Sequence, residues 1–282
     1  MHIARAVVQG VNRYGTVVAG MFETLAVDGD LPSAAFIEGR AWEATRGGRY
    51  ALADLELLAP VVNPRKVIGI GLNYVDHAAE SQIEMPQHPL VFAKFPSAII
   101  GPGAPISWDS GLTDAVDFEA ELAVVIGRRT KGVSLVNSLE HVFAYTCLND
   151  ISARDLQFSD GQWVRSKSLD GFCPIGPWLV TADEIEDPQA LAIECVVSGE
   201  VLQQGSTRDM HFGVAELIAD LSRSFVLEPG DVIATGTPPG VGWFRSPRRM
   251  LRAGDEVEVS IQGIGSLTNP IDGDKGRVEP PE

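Results

Sequence analysis

Short apolar runs separated by glycine and proline dominate the chain, and several alternate apolar with polar residues. They include KVIGIG (66–71), PLVFAKF (89–95), FEAELAVVIG (118–127), FAYTCLND (143–150), GPWLVT (176–181), LAIECVVSG (191–199), DVIATG (231–236) and EVEVSIQGIGSL (256–267). A period of two predicts half-buried β-strands. Helical spacing is confined to a few places, 75–82 and most clearly 212–225. In the latter, Val214, Leu217, Ile218 and Leu221 fall on one apolar face. Residues 1–62 read differently. The strand-like IARAVV and YGTVVAG are followed by turns at Asp28-Gly29-Asp30 and Arg46-Gly47-Gly48-Arg49, and Pro60 and Pro64 close the stretch. The pattern predicts a mostly β (α+β) protein with a small N-terminal domain, 1–62, ahead of a β-rich domain, 63–282. The tail KGRVEPPE is expected to fray.

Composition narrows the class. The chain has 282 residues, of which 45% are hydrophobic and 21% charged, so it can bury a substantial core. Asp and Glu total 38 against 22 Lys and Arg, a formal charge of −16. That field disfavours nucleic acid and anionic membrane surfaces as partners. Three cysteines with no C-x-x-C pair argue against a disulfide framework or a cysteine-rich zinc site. With no signal-peptide core and no apolar run near the ~20 residues of a membrane span, a cytoplasmic setting is expected.

Four groups of residues could carry chemistry. Glu119 and Glu121 stand two apart in a strand-like run, so they share a face, with Phe118, Ala120 and Leu122 on the other. With Asp150 at the end of another run, they form an oxygen-donor set suited to Mg²⁺ or Mn²⁺. By itself, E-x-E is also the pattern of a solvated strand face. In N-Y-V-D-H-A-A-E, His77 and Glu80 fall at i and i+3 of a helix, where a carboxylate can orient and activate an imidazole base. The same spacing is common in surface pairs. In D-I-S-A-R-D-L-Q, Arg154 and Gln157 share a helical face, and Lys167 follows in S-K-S. T-G-T-P-P-G-V-G is glycine-rich but lacks the Lys of a phosphate loop, so it suits a turn offering the Thr237 hydroxyl and backbone N–H groups to a carboxylate. Two further patterns fail on spacing. Gly69-Ile70-Gly71 would need a third glycine at Tyr74, and Asp272-Gly273-Asp274 would need the glycine of a calcium loop at Arg277.

The order of these motifs is specific where each alone is not. G-x-x-N-Y-x-D-H-x-x-E, E-x-E-L-x-x-V-I-G, N-D-x-x-A-R-D-x-Q, K-S-x-D-x-F-x-P-x-G-P and T-G-T-P-x-G-V-G together resemble the fumarylacetoacetate hydrolase family over about residues 66–271. The resemblance implies a mixed β-sandwich roll behind a small N-terminal domain, in a homodimer. It implies Glu119, Glu121 and Asp150 as metal ligands, with Mg²⁺ as the ion and Mn²⁺ or Ca²⁺ as substitutes. His77 and Glu80 then form a catalytic dyad, Lys167 acts beside them, and Arg154, Gln157 and Thr237 line the pocket of a 2-oxo acid substrate. The expected reaction is Mg²⁺-dependent hydrolysis of a C–C bond in an acylpyruvate or related 2,4-dioxo acid, through a metal-stabilised enolate. The alternatives are decarboxylation of an oxaloacetate-type 2-oxo acid, isomerisation of a 2-hydroxy-diene-dioate in aromatic catabolism, or a metal-containing binding module without turnover.

Overall fold

The computed structural model describes residues 1–27, 30–76, 80 and 84–274. Its spine is a long sheet whose middle strands are apolar on both faces. From one edge the order runs Arg46–Ala51, Met21–Leu25, Val11–Val18, His2–Val8, Cys173–Thr181, Val142–Asn149, Ala120–Ile126, Val232–Ala234, Val67–Gly71 and Leu90–Lys94. Most pairings along it are antiparallel, but Val232–Ala234 runs parallel to Val67–Gly71, so the sheet is mixed. A second sheet of five strands is ordered Glu200–Ser206, Ala192–Val197, Glu256–Ile261, Gly265–Asp274 and Ile106–Trp108.

The two faces of Ala120–Ile126 explain the layering. Leu122 and Val124 join a core with Ile193, Val257, Val259 and Leu267 of the second sheet. Ala123 and Val125 join another with Ile3, Tyr14 and Phe36 of the N-terminal segment. Every residue of this strand is therefore buried, where alternation had predicted one wet face. The N-terminal strands are hydrogen-bonded into the main sheet, with His2 opposite Val180 and Ile3 opposite Leu179.

The helix Val214–Ser224 forms where its spacing predicted, with Val214, Leu217, Ile218 and Leu221 buried. Of the helix expected at 75–82, residues 77–79 and 81–83 lie outside the described residues, and His77 with them. The expected turn at 28–30 and the tail 275–282 also fall wholly or partly outside. No helix among the described residues is long and apolar enough to cross a membrane.

Candidate metal and 2-oxo acid site

The site forms where two neighbouring strands begin and end. Ala120 lies opposite Asn149 and Glu121 opposite Leu148, so the antiparallel register brings the start of one strand beside the end of the other. The junction is pinned by Asp150 N–H donating to the Glu119 carbonyl (2.9 Å) and by Glu119 N–H donating to Asn149 Oδ1 (3.0 Å). Glu119, Glu121 and Asp150 are all buried, and one oxygen from each lies within 4.8 Å of the others. Burial pushes the Glu121 carboxyl well above the usual range, and the nearby charges of Asp150 and Glu119 push the same way; Lys167 and the Gly236 N–H offset only part of this. A compact, oxygen-only set of mutually repelling carboxylates fits a hard divalent cation.

Three buried cations surround the triad. Lys167 Nζ donates to Glu119 Oε2 (2.9 Å), Asp150 Oδ2 (2.7 Å) and Ser152 Oγ (2.8 Å). Burial alone would lower its pKa, but Asp150 and Glu119 more than offset this and hold Lys167 above the ordinary lysine value, as an ammonium. Lys94 Nζ donates to Asp150 Oδ1 and to the carbonyl of Lys167. Arg154 reaches in from the short helix Arg154–Asp160, with Nη1 on Glu119 Oε1 (2.7 Å) and Gln157 Oε1 (2.9 Å) and Nε on Asp117 Oδ2 (2.8 Å). Among the described residues, Arg154 Nη2 has no hydrogen-bond partner, and the residue is only 3% exposed. A buried N–H left unpaired is costly, about 1–3 kcal/mol. With all groups ionised, four carboxylates (Asp117, Glu119, Glu121, Asp150) face three cations. A divalent cation would turn that balance positive and favour an anion.

The Gly-rich turn does offer backbone N–H groups to carboxylates. Its N–H groups meet carboxylates of the protein itself: Gly236 donates to Glu121 Oε2 (2.8 Å), and Gly240 lies 3.1–3.2 Å from both oxygens of Glu80. Gly240 holds a φ of +105°, and a Cβ there would come within 2.1 Å of the Leu202 carbonyl oxygen, so glycine is required. The Thr237 hydroxyl donates to the Ala120 carbonyl (2.9 Å) and accepts from Gln203 Nε2 (2.7 Å). Thr237 does line the pocket, together with Glu119, Glu121, Arg154, Gln157 and Lys167. Glu80 is thus placed beside the glycine turn, while its expected partner His77 lies outside the described residues.

Sequence reasoning passed over Asp117. This fully buried carboxylate accepts from Phe118 N–H (2.9 Å), Gly242 N–H (2.7 Å), Trp243 N–H (3.0 Å) and Arg154 Nε. The signal was available: Asp117, Glu119 and Glu121 stand two apart in D-F-E-A-E, the spacing that puts side chains on one face.

The family model for the fumarylacetoacetate (FAA) hydrolase C-terminal region matches residues 66–272. The chain belongs to the fumarylacetoacetate hydrolase family. Oxaloacetate tautomerase YisK of Bacillus subtilis (strain 168) is 46% identical over 225 residues, covering 79% of this chain and 75% of that protein. The structure of a fumarylacetoacetate hydrolase from the psychrophile Exiguobacterium antarcticum superposes with a TM-score of 0.85 at 40% identity, covering 98% of this chain and 100% of that one. A maleylpyruvate hydrolase from Sphingobium sp. SYK-6, solved in complex with manganese(II) and pyruvate, superposes at 0.78 with 29% identity, covering 98% and 100%. Membership makes this chain an enzyme of the family with a small-molecule substrate, and the mixed, mostly β fold is the family's own. Relatives and structural neighbours thus include both a tautomerase and hydrolases, so the fold alone does not choose the reaction.

Proposed function

We propose that this enzyme interconverts the keto and enol forms of oxaloacetate or a closely related 2-oxo dicarboxylic acid, with a divalent cation held by Glu119, Glu121 and Asp150. The observation that carries the reading is the buried Nη2 of Arg154, unpartnered among the described residues, on a side chain that lines the same pocket as Glu119 and Glu121. One pocket then offers two points for anionic oxygen, as a dicarboxylate requires. The 46% identity to an oxaloacetate tautomerase supports this alternative over acylpyruvate hydrolysis. Mg²⁺ is the proposed resident ion, with Mn²⁺ or Ca²⁺ able to replace it; manganese in the maleylpyruvate hydrolase supports a divalent ion of that kind.

When bound, the cation supplies positive charge beside the carbonyl oxygen of the substrate as that oxygen becomes negative. The chain's own residues do the rest. Arg154 and Gln157 hold the distal carboxylate. A proton leaves C3 for the base, the role we assign to His77 oriented by Glu80, and its electron pair becomes the C2–C3 double bond. The Lys167 ammonium faces the oxygen that gains charge and can protonate it, giving the enol. No water is consumed and no carbon–carbon bond breaks, so the reaction is a balanced proton shift. The walls Ile70, Leu72, Phe92, Phe158, Trp163 and Phe244 exclude water and strengthen these electrostatic contacts.

A homodimer is also proposed. Leu90–Lys94 is an edge strand, and Leu90, Val91 and neighbouring Phe95 are 40%, 42% and 54% exposed. An apolar sheet edge of this kind calls for a cover. The three cysteines are buried and free, which suits a reducing compartment such as the cytoplasm.

The test is ultraviolet decay of the enol band of oxaloacetate on EDTA-stripped protein, with Mg²⁺ or Mn²⁺ restored. Metal-dependent decay beyond that in buffer and metal is expected. Silence there, with metal-dependent cleavage of an acylpyruvate, would return the assignment to hydrolysis.

A further inference from the structure

Two glycines on the pocket side of Val67–Gly71 carry aromatic rings in place of side chains. Gly69 and Gly71 are two apart, so they share a face of the strand. A Cβ at Gly69 would lie 2.1 Å from Cζ of Phe92, and one at Gly71 would lie 2.2 Å from Cζ3 of Trp163. Both rings therefore rest on bare backbone. They pack edge-on against each other, with centroids 5.4 Å apart and planes at 63°. The Lys167 ammonium stands 5.1 Å from the centre of the Phe92 ring. The indole is anchored to that same lysine's turn: the Trp163 carbonyl accepts the Lys167 N–H (3.1 Å) and the Ser166 hydroxyl (2.9 Å). The Gly161 cap of the preceding helix, at φ +69°, reverses the chain into this turn.

We infer that Trp163 is a specificity-determining residue, its indole limiting the enzyme to short 2-oxo acids by filling the space along Gly71 that a longer tail would need. The inference rests on the proposed 2-oxo acid site. The Phe92 ring stands between the ammonium that faces the acid head and the indole, so a substituent long enough to pass Phe92 on this side meets the indole wall. Strand backbone lies directly behind both rings, so neither can move toward the strand. The turn that carries Trp163 also carries Lys167, so the wall and the head group's partner are held in fixed relation. A small side chain at 163 opens the pocket along bare glycine, whereas a methyl at Gly71 drives the indole inward. The two substitutions therefore act in opposite directions.

The experiment measures binding to Mg²⁺-loaded wild type, Trp163→Ala and Gly71→Ala by calorimetry. The probes are oxalate, which presents only the head, and benzoylpyruvate, which adds a bulky tail; enol-oxaloacetate turnover is followed in parallel. Trp163→Ala is expected to tighten benzoylpyruvate by about tenfold or more while leaving oxalate within about twofold, and Gly71→Ala is expected to weaken benzoylpyruvate relative to oxalate. A ratio of the two affinities unchanged in both variants, or shifted the same way in both, overturns the inference. Should oxaloacetate turnover be absent in wild type while the ratio moves as stated, the tautomerase reading fails and the size limit stands. Turnover present with a constant ratio is the reverse.

Discussion

Glu121 is the residue at which binding and stability pull apart. Glu119 and Asp150 each meet Lys167, but Glu121 meets the backbone N–H of Gly236, and burial, reinforced by its two acidic neighbours, holds its carboxyl well above the usual range. Replacing it by Gln removes a buried repulsion and a proposed metal donor together. Glu121→Gln is expected to melt at a higher temperature than wild type without metal, yet to gain almost nothing when Mg²⁺ is added, with metal affinity down by about a hundredfold or more. Thermal melts with and without Mg²⁺ check both signs. Arg154→Gln removes the orphaned Nη2 and the contact to Glu119. It is expected to raise KM for oxaloacetate by roughly 10–100-fold, with a smaller fall in kcat, since a charged hydrogen bond contributes about 1.5–3 kcal/mol.

At the scale of elements, what was legible in the sequence is what local periodicity controls. Val214–Ser224 reads directly as a helix because its four apolar positions recur every three or four residues. Glu119 and Glu121 share a face because strands alternate. The wet face expected for Ala120–Ile126 was wrong because two layers cover it, and coverage comes from residues far along the chain. The Gly-rich turn was legible as a donor of N–H groups to a carboxylate, but which carboxylates, Glu80 and Glu121, is set by long-range packing. Asp117 escaped notice because its meaning lies in partners at 154, 242 and 243. A comparable clasp closes the turn before Glu256–Ile261. Burial alone would raise the Asp255 pKa, but Arg249 (2.7 and 2.8 Å), Ser198 and the Arg252 N–H bind the charged form and hold it below the usual range. A depressed carboxylate pKa adds stability above the unfolded value, and that stability fades as pH falls through the folded one. Asp255→Asn is therefore expected to cost about 1–3 kcal/mol in urea melts at neutral pH, with the deficit shrinking in acid. A deficit independent of pH would assign the loss to packing instead.

For the whole molecule, the −16 charge and the site's buried cations act in opposite senses. The net field repels a dianion, while the cluster with the proposed cation would attract one, so recognition is expected to be local rather than steered. The apolar edge at Leu90–Lys94 belongs to this scale as well. Light scattering is expected to give a dimer for wild type and a monomer for Val91→Lys. A wild-type monomer at micromolar concentration would contradict the proposed assembly. The central claim, proton transfer at C3 without water consumption or carbon–carbon bond cleavage, is tested most directly by proton NMR of enol-oxaloacetate in D₂O with Mg²⁺-loaded enzyme. The expected result is conversion to the keto form faster than in buffer and Mg²⁺, with deuterium entering C3 and no pyruvate formed at the enzymic rate. Pyruvate growing in step with loss of substrate, or conversion no faster than in buffer and Mg²⁺, would contradict it.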